Sequence, residues 1–307
     1  QEFYDLPTMA NLIDENMPSK GMDALAKKFA PDMHKITDDP WLTNQKKTGW
    51  PLVTPERMNK YATNDAEVSY VTWDAMIAHP EWRALYHDVW EHKQRTITTL
   101  LEMRRRGVRL DTEAAQYMAD VGNARMAVLL EELGYPKLGP TALTDIFLTK
   151  LQFPVLKRSA KTGAPSFDKE VMAEYDEMLE KEGSDLGKLI LEYRGWQKAV
   201  SAGYQSYLDH MSPDGRVRTE YTTHVTRTGR LSSKEPNLQQ IPKESDKLWN
   251  GQMKSCFIAS EGFNGWYIDY SQLELRLMAA FAGVPELKQV FIEGRDIFVE
   301  MSEALGY

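Results

Sequence analysis

From Pro80 to Arg106 apolar residues return at helical spacing, through Trp82, Leu85, Val89, Ile97, Leu100 and Leu101. That pattern predicts one long helix, with Gly107 as its C-terminal cap. Asp111 is a good N-cap with Glu113 in the turn after it, so a second long helix should start there and end before Gly134. Its inner face is expected to carry Tyr117, Met118, Val121, Ala124 and Val128. The short link Gly107–Leu110 should fold the two helices into an antiparallel pair projecting from the body. Further upstream Pro7, Pro18, Pro31, Pro40, Pro51 and Pro55 imply short helices between turns.

Residues 135–185 are mixed and loop-rich, with breakers at Gly139-Pro140 and Lys161-Thr162-Gly163. Another helix, near Leu186–Tyr207, carries Leu189, Tyr193, Trp196 and Val200. After the turn Ser212-Pro213-Asp214-Gly215 the period changes to alternation, and Val217, Thr219 and Tyr221 fall on one face of an expected strand. Trp266-Tyr267-Ile268 reads as a short apolar strand that delivers Asp269 at its end. Leu273, Leu277, Ala280 and Phe281 then repeat at helical spacing.

At 307 residues the chain can bury two or three modest cores. Cys256 is the single cysteine, which excludes an internal disulfide framework and a cysteine-based zinc site. No apolar run approaches the roughly 20 residues of a membrane span, and nothing resembles a signal peptide. A cytoplasmic setting without membrane attachment is expected. The net charge of −8 argues against a general nucleic-acid coat, since phosphate binding is driven by Lys and Arg. Basic residues nevertheless gather at Arg216, Arg218, Arg227, Arg230 and Lys234, and again at Arg104-Arg105-Arg106 with Arg109. Polyanion contact should therefore be local. The six histidines show no ligand spacing.

Asp269-Tyr270-Ser271-Gln272-Leu273-Glu274-Leu275-Arg276 places a carboxylate where an expected strand meets a helix. A hard divalent cation wants oxygen ligands at a rigid site, and Asp269 could supply one. By spacing alone a helix-capping aspartate is the commoner arrangement. Thr228-Gly229-Arg230-Leu231-Ser232-Ser233, then Pro236-Asn237-Leu238-Gln239 and Ile241-Pro242, forms on its own a turn-rich basic loop. Arg230, Asn237 and Gln239 suit hydrogen bonds to phosphates and to minor-groove edges, where every correct base pair offers acceptors at similar positions. Tyr61 and Asp65 stand four apart, on one helical face.

As strings these segments are specific. DYSQLELR resembles motif A of the family A DNA polymerases, the DNA polymerase I type, and TGRLSS-x-x-PNLQ-x-IP resembles that family's primer–template contact segment. The resemblance implies that Asp269 is one of two palm aspartates binding a pair of catalytic magnesium ions, with the Tyr270 carbonyl as a further ligand. It implies a steric gate at Glu274 that selects deoxynucleotides, DNA contacts at Arg230, Asn237 and Gln239, and a structural ion-pair role for Arg276. Met103–Asp111 looks like the hairpin opening the thumb, and Leu191–Gly195 like the helix before the palm. Tyr61 and Asp65, behind Gly21–Ala26, resemble the third motif of the 3′–5′ exonuclease, with Asp65 on a metal and Tyr61 orienting water. Tyr4-Asp5 looks like a structural aspartate of that domain, and its first two motifs are absent. Gly294-Arg295-Asp296-Ile297-Phe298 resembles a Gly-Lys-Asp-Ile-His stretch, but Phe298 replaces the histidine and with it any triphosphate contact.

The expected fold is mixed α+β. Residues 1–80 should be the C-terminal part of a ribonuclease H-like exonuclease domain, 81–212 a helical thumb, and 213–307 the first half of a palm with antiparallel sheet. The implied function is template-directed DNA synthesis with magnesium, acting on primer–template DNA and deoxynucleoside triphosphates, with proofreading as a possible addition. Fingers and the rest of the palm are expected on a continuation of the chain or a partner chain. One alternative is a DNA-binding half of a split polymerase. A weaker one is a metal nuclease using Asp269 and Asp296.

Overall fold

Thr54 accepts a hydrogen bond from the Arg57 amide, Pro55 takes the first helical position, and no further proline or glycine follows until Pro80. The result is one unbroken 24-residue helix, Pro55–Ala78. It corrects the expectation of short helices throughout the first 80 residues, which holds for α1 (Leu6–Ile13) and α2 (Met22–Phe29). Proline is dense only as far as residue 55, so nothing breaks α3 (Pro55–Ala78). The computed structural model describes residues 4–33, 54–83, 87–242, 249 and 252–306, so Pro40, Pro51 and Leu85 lie outside the described residues. Two compact units divide the chain, Gln1–Ile258 and Ala259–Tyr307.

α4 (His87–Arg106) buries Trp90 and Leu100, whereas Val89 and Leu101 face solvent. α5 (Thr112–Leu133) is capped as expected: Asp111 accepts from the Ala114 amide at 3.0 Å, and Gly134 closes the helix at φ 70°. Its inner face is the expected one only at Met118 and, half-buried, Val121. Ala115, Met118, Ala119, Gly122 and Leu129 are buried, while Tyr117, Ala124 and Val128 are exposed. Small residues face inward because α8 (Leu186–Lys198) and the wider π-type turns Ala199–Tyr204 press close. A Cβ on Gly122 would lie 2.5 Å from Val200 Cγ2 and 2.8 Å from Trp196 Cε3.

α5 lies along α8 and not along α4, so the projecting antiparallel pair is absent. The link from Gly107 contains β1 (Val108–Leu110), the middle strand of an antiparallel sheet between β2 (Arg216–Val217) and β5 (Phe257–Ile258). Gly107 has φ 62°, and a Cβ there would lie 2.9 Å from the Val217 carbonyl, a position that favours glycine.

The stretch read as loop-rich holds α6 (Pro140–Leu143), π-type turns at Thr144–Lys150 and α7 (Lys169–Lys181), the last capped by Asp168 accepting from the Val171 amide. The helix expected from Leu186 continues into α9 (Gln205–Asp209) and buries Tyr193, Trp196 and Val200. The larger core collects Phe147, Tyr175, Trp196, Tyr204 and Tyr207; Phe147 and Tyr175 stack at 4.4 Å. A smaller core joins α1, α2 and α3 through Met9, Leu25 and Met76, with Trp82 and Trp90.

The Ser212–Gly215 turn forms as expected. The single strand expected after it divides, because Val217 belongs to β2 and Tyr221 to β3 (Glu220–Thr222), which pairs with β4 (Ser232–Lys234) in a second antiparallel sheet. Residues 259–306 hold α10 (Leu273–Ala282), α11 (Pro285–Ile292) and α12 (Ile297–Leu305) around Ala279, Val290 and Ile297. The strand expected at Trp266-Tyr267-Ile268 does not form, and these side chains are 84%, 72% and 91% exposed. Three residues cannot hold a strand without a ladder partner, and none of the described residues pairs with them. The mainly helical α+β architecture is otherwise the expected one.

Candidate nucleic-acid interface

β3 and β4 pair Glu220 with Lys234, Tyr221 with Ser233 and Thr222 with Ser232, so residues 223–231 form the tip of a hairpin. Gly229 turns the tip at φ 73°. Thr226 Oγ1 donates to the Arg230 carbonyl at 2.6 Å, and Lys93 Nζ of α4 donates to the Gly229 carbonyl at 3.3 Å. Burial pushes the Lys93 ammonium down from its ordinary pKa. The tip is thus held at two backbone oxygens, with Arg230 exposed on it.

The return arm is held more firmly. Ser233 is buried, and its Oγ donates to Asn237 Oδ1 at 3.0 Å while accepting from the Gln239 amide at 3.2 Å. The same Gln239 amide reaches Asn237 Oδ1 at 3.1 Å. Buried Thr219 Oγ1 bonds to the Lys234 and Pro236 carbonyls at 3.1 and 2.7 Å. Two donors therefore converge on Asn237 Oδ1, which leaves the NH2 end of that amide to meet an acceptor. Acceptors are what the minor groove offers at adenine N3 and thymine O2. Gln239 is exposed and donates one N–H to the Leu231 carbonyl at 3.2 Å. Arg230, Asn237 and Gln239 are gathered on one hairpin.

Tyr61 and Asp65 also meet, on α3. Burial first, and then the hydrogen bond to Asp65, raise the Tyr61 phenol pKa, with Asp23 of α2 adding a like-signed push. Ser69 Oγ donates to the Asp65 carbonyl at 2.6 Å. Asp5 caps α1 through the Thr8 amide at 3.0 Å, a structural use.

In the second unit Asp269 is exposed and makes no ion pair among the described residues. Gln272, at φ 53°, opens α10, and Glu274 stands exposed in its first turn. Arg276 forms no ion pair among the described residues, which corrects its expected role; its Nε donates to the Ser271 carbonyl at 2.8 Å and its guanidinium lies 4.8 Å over the Phe291 ring. It ties α10 to α11. Asp296 caps α12 by accepting from the Phe298 amide at 2.8 Å, the ordinary use of an aspartate there. Among the described residues no three His, Cys, Asp or Glu side chains gather as a metal site.

The DNA polymerase family A profile matches residues 86–306, both strings included. The chain belongs to DNA polymerase family A. It is 29% identical to DNA polymerase I of Pseudomonas aeruginosa over 96% of its own length and 32% of that protein's. Against DNA polymerase I of Rhizobium leguminosarum it is 29% identical over 100% of this chain and 30% of that protein. Thermostable DNA polymerase I of Thermus aquaticus is 36% identical over 52% of this chain and 18% of its own. The chain thus spans about a third of the length of the curated relatives that it matches from end to end. A solved structure described as the POL domain of Pol1 from M. smegmatis in complex with DNA primer-template and dNTP shares the fold. Its TM-score is 0.73 at 21% identity, covering 95% of this chain and 48% of that one.

The sequence of this family member named Ser233 only within its string and Thr219 only as a strand residue, and it did not single out Lys93. Asn237, two residues before an amide it accepts, is an Asx turn that the Pro-Asn pair signals. Nothing local in the sequence announces the Lys93–Gly229 contact, which joins residues 136 positions apart.

Proposed function

We propose that this protein is the part of a family A DNA polymerase that grips primer–template DNA at the 220–240 hairpin and carries, at Asp269, one catalytic carboxylate for template-directed DNA synthesis. The observation that supports it most is the family match across both strings, with Asn237 held so that a donor is left for the minor groove. Residues 81–212 then serve as thumb and 213–307 as the first part of the palm. Residues 1–80 are the end of a ribonuclease H-like exonuclease domain, with Tyr61 and Asp65 as its contribution to proofreading.

Magnesium fits the donors in kind. Asp269 is an exposed carboxylate beside the Tyr270 carbonyl, and hard oxygen ligands suit that ion, although the described residues supply only part of a ligand set. When bound, a pair of magnesium ions activates the primer 3′-hydroxyl and stabilises charge on the leaving pyrophosphate. Glu274, at the start of α10, is the proposed gate, filling the space that a ribose 2′-hydroxyl would need. Trp266, Ile268 and Phe281, the last 87% exposed, are large apolar side chains that support docking of the remaining palm and fingers, as continuation or partner chain. A cytoplasmic setting, in a bacterium or a phage-infected cell, goes with this reading.

Primer extension tests it. The chain alone should not extend a primer, and should do so once a complementary C-terminal polymerase piece is supplied. Asp269→Ala should then lower extension by roughly a thousandfold or more while primer–template binding persists. Extension by the chain alone, or by the Asp269→Ala assembly at the parent rate, overturns the assignment.

A further inference from the structure

We infer that the corner where α4 ends and β1 begins is a second nucleic-acid contact, binding the phosphodiester backbone through Arg104, Arg106 and Arg109. The inference rests on the proposed DNA-gripping role and adds a site outside the 220–240 hairpin.

Cations crowd this corner of a chain whose net charge is −8. Arg105, Arg218 and Lys234 are neutralised by Glu102, Asp214 and Glu220 at 3.0, 2.6 and 3.0 Å. Arg104, Arg106 and Arg109 are exposed and form no ion pair among the described residues, although Glu102, already bound to Arg105, also feels the charge of Arg106. A helix C-terminus can absorb positive charge, because its last carbonyls lack partners. Here that capacity is already used. Arg216 Nη1 donates to the carbonyls of Arg106 and Gly107 at 3.3 and 3.2 Å, and Arg218 Nε to that of Arg105 at 3.2 Å. Register then sets Arg109 directly opposite Arg216 across the β1–β2 ladder. Like charges so placed destabilise a sheet, and an anion between them removes the repulsion. Arg104 also lies near Lys234 of β4, whose ammonium Glu220 and then Glu235 nevertheless hold above its ordinary pKa.

Position favours DNA backbone over a small anion. α4 runs from Lys93, at the hairpin tip, to Arg106 at the corner, about 20 Å at 1.5 Å per residue. One strand of a duplex passes about six phosphates in that distance. A strand lying along α4 would meet basic groups at both ends. Guanidinium forks match phosphate oxygens in pairs.

The test is binding of a fluorescein-labelled DNA duplex, and of its single strand, by the full chain across a series of KCl concentrations. The variant R104Q/R106Q/R109Q should bind about tenfold more weakly, and its slope of log affinity on log salt should be shallower by about 2 to 3 for duplex. R104K/R106K/R109K should keep most of the slope. Loss on duplex and single strand alike assigns the corner to backbone phosphate in general, and loss on duplex alone to paired DNA. The three side chains are exposed, so the thermal midpoint should stay within a few degrees of the parent's. An unchanged slope and affinity in the glutamine variant, with binding lost on Arg230→Gln, overturns the corner and leaves the hairpin's role intact. Failure of the parent chain to bind either DNA overturns both.

Discussion

A single hydroxyl organises the hairpin's contact surface. Ser233 Oγ joins Asn237 Oδ1 to the Gln239 amide, so Ser233→Ala strips one of two donors from Asn237 and leaves its orientation to the Gln239 N–H alone. Stability should fall by about 1–2 kcal/mol, the usual cost of breaking a buried hydrogen bond, and primer–template affinity should drop several-fold. Ser233→Thr keeps the hydroxyl and should restore affinity to within about twofold. Urea denaturation and fluorescence anisotropy check the two effects, and an alanine variant that binds DNA as the parent does would show that Asn237's orientation is irrelevant. Sequence exposed the candidate readers because their strings are specific, yet it hid this hydroxyl. Its partners lie four and six residues away, on a return arm whose path local propensity does not set.

Among elements, α5 is packed closely against α8. Gly122→Ala should destabilise the protein by about 1–3 kcal/mol, since the added methyl overlaps Val200 and Trp196 and overpacking outweighs the better helix propensity of alanine. A shifted denaturant midpoint at constant slope is the expected reading; a stabilised variant would mean that α8 yields without cost. Helix ends were legible, because Asp111, Gly134 and the Ser212–Gly215 turn act through their own backbone geometry. Helix faces were less so. Ala115, Ala119 and Gly122 carry too little apolar bulk to stand out in a hydrophobic pattern, yet they make the inner face. The strand at 266–268 failed for a different reason: an apolar triplet is a strand only when a neighbour supplies the ladder.

At the scale of the molecule, the N-terminal helices are fastened to the polymerase hairpin through Thr8 Oγ1 and Thr223 Oγ1, 2.5 Å apart. His224 adjoins that fastening, half-buried, with Asp5, Lys20, Lys234 and Glu220 as its charged neighbours. Burial holds its imidazole below the ordinary histidine pKa, so the unfolded chain binds the proton more readily than the folded one. Stability should then decline as pH falls from about 7 to 5. His224→Gln should flatten that decline in denaturation curves recorded at each pH, and an unaltered slope would exclude His224 as its source. The three-stranded sheet carries the widest consequence. β1 lies between β2 and β5, strands that follow it by more than a hundred residues. During ribosomal synthesis β1 leaves the exit tunnel long before either neighbour. One edge stays open until Val217 has emerged and the other until Phe257 has, and an unpaired edge is open to mispairing for that interval.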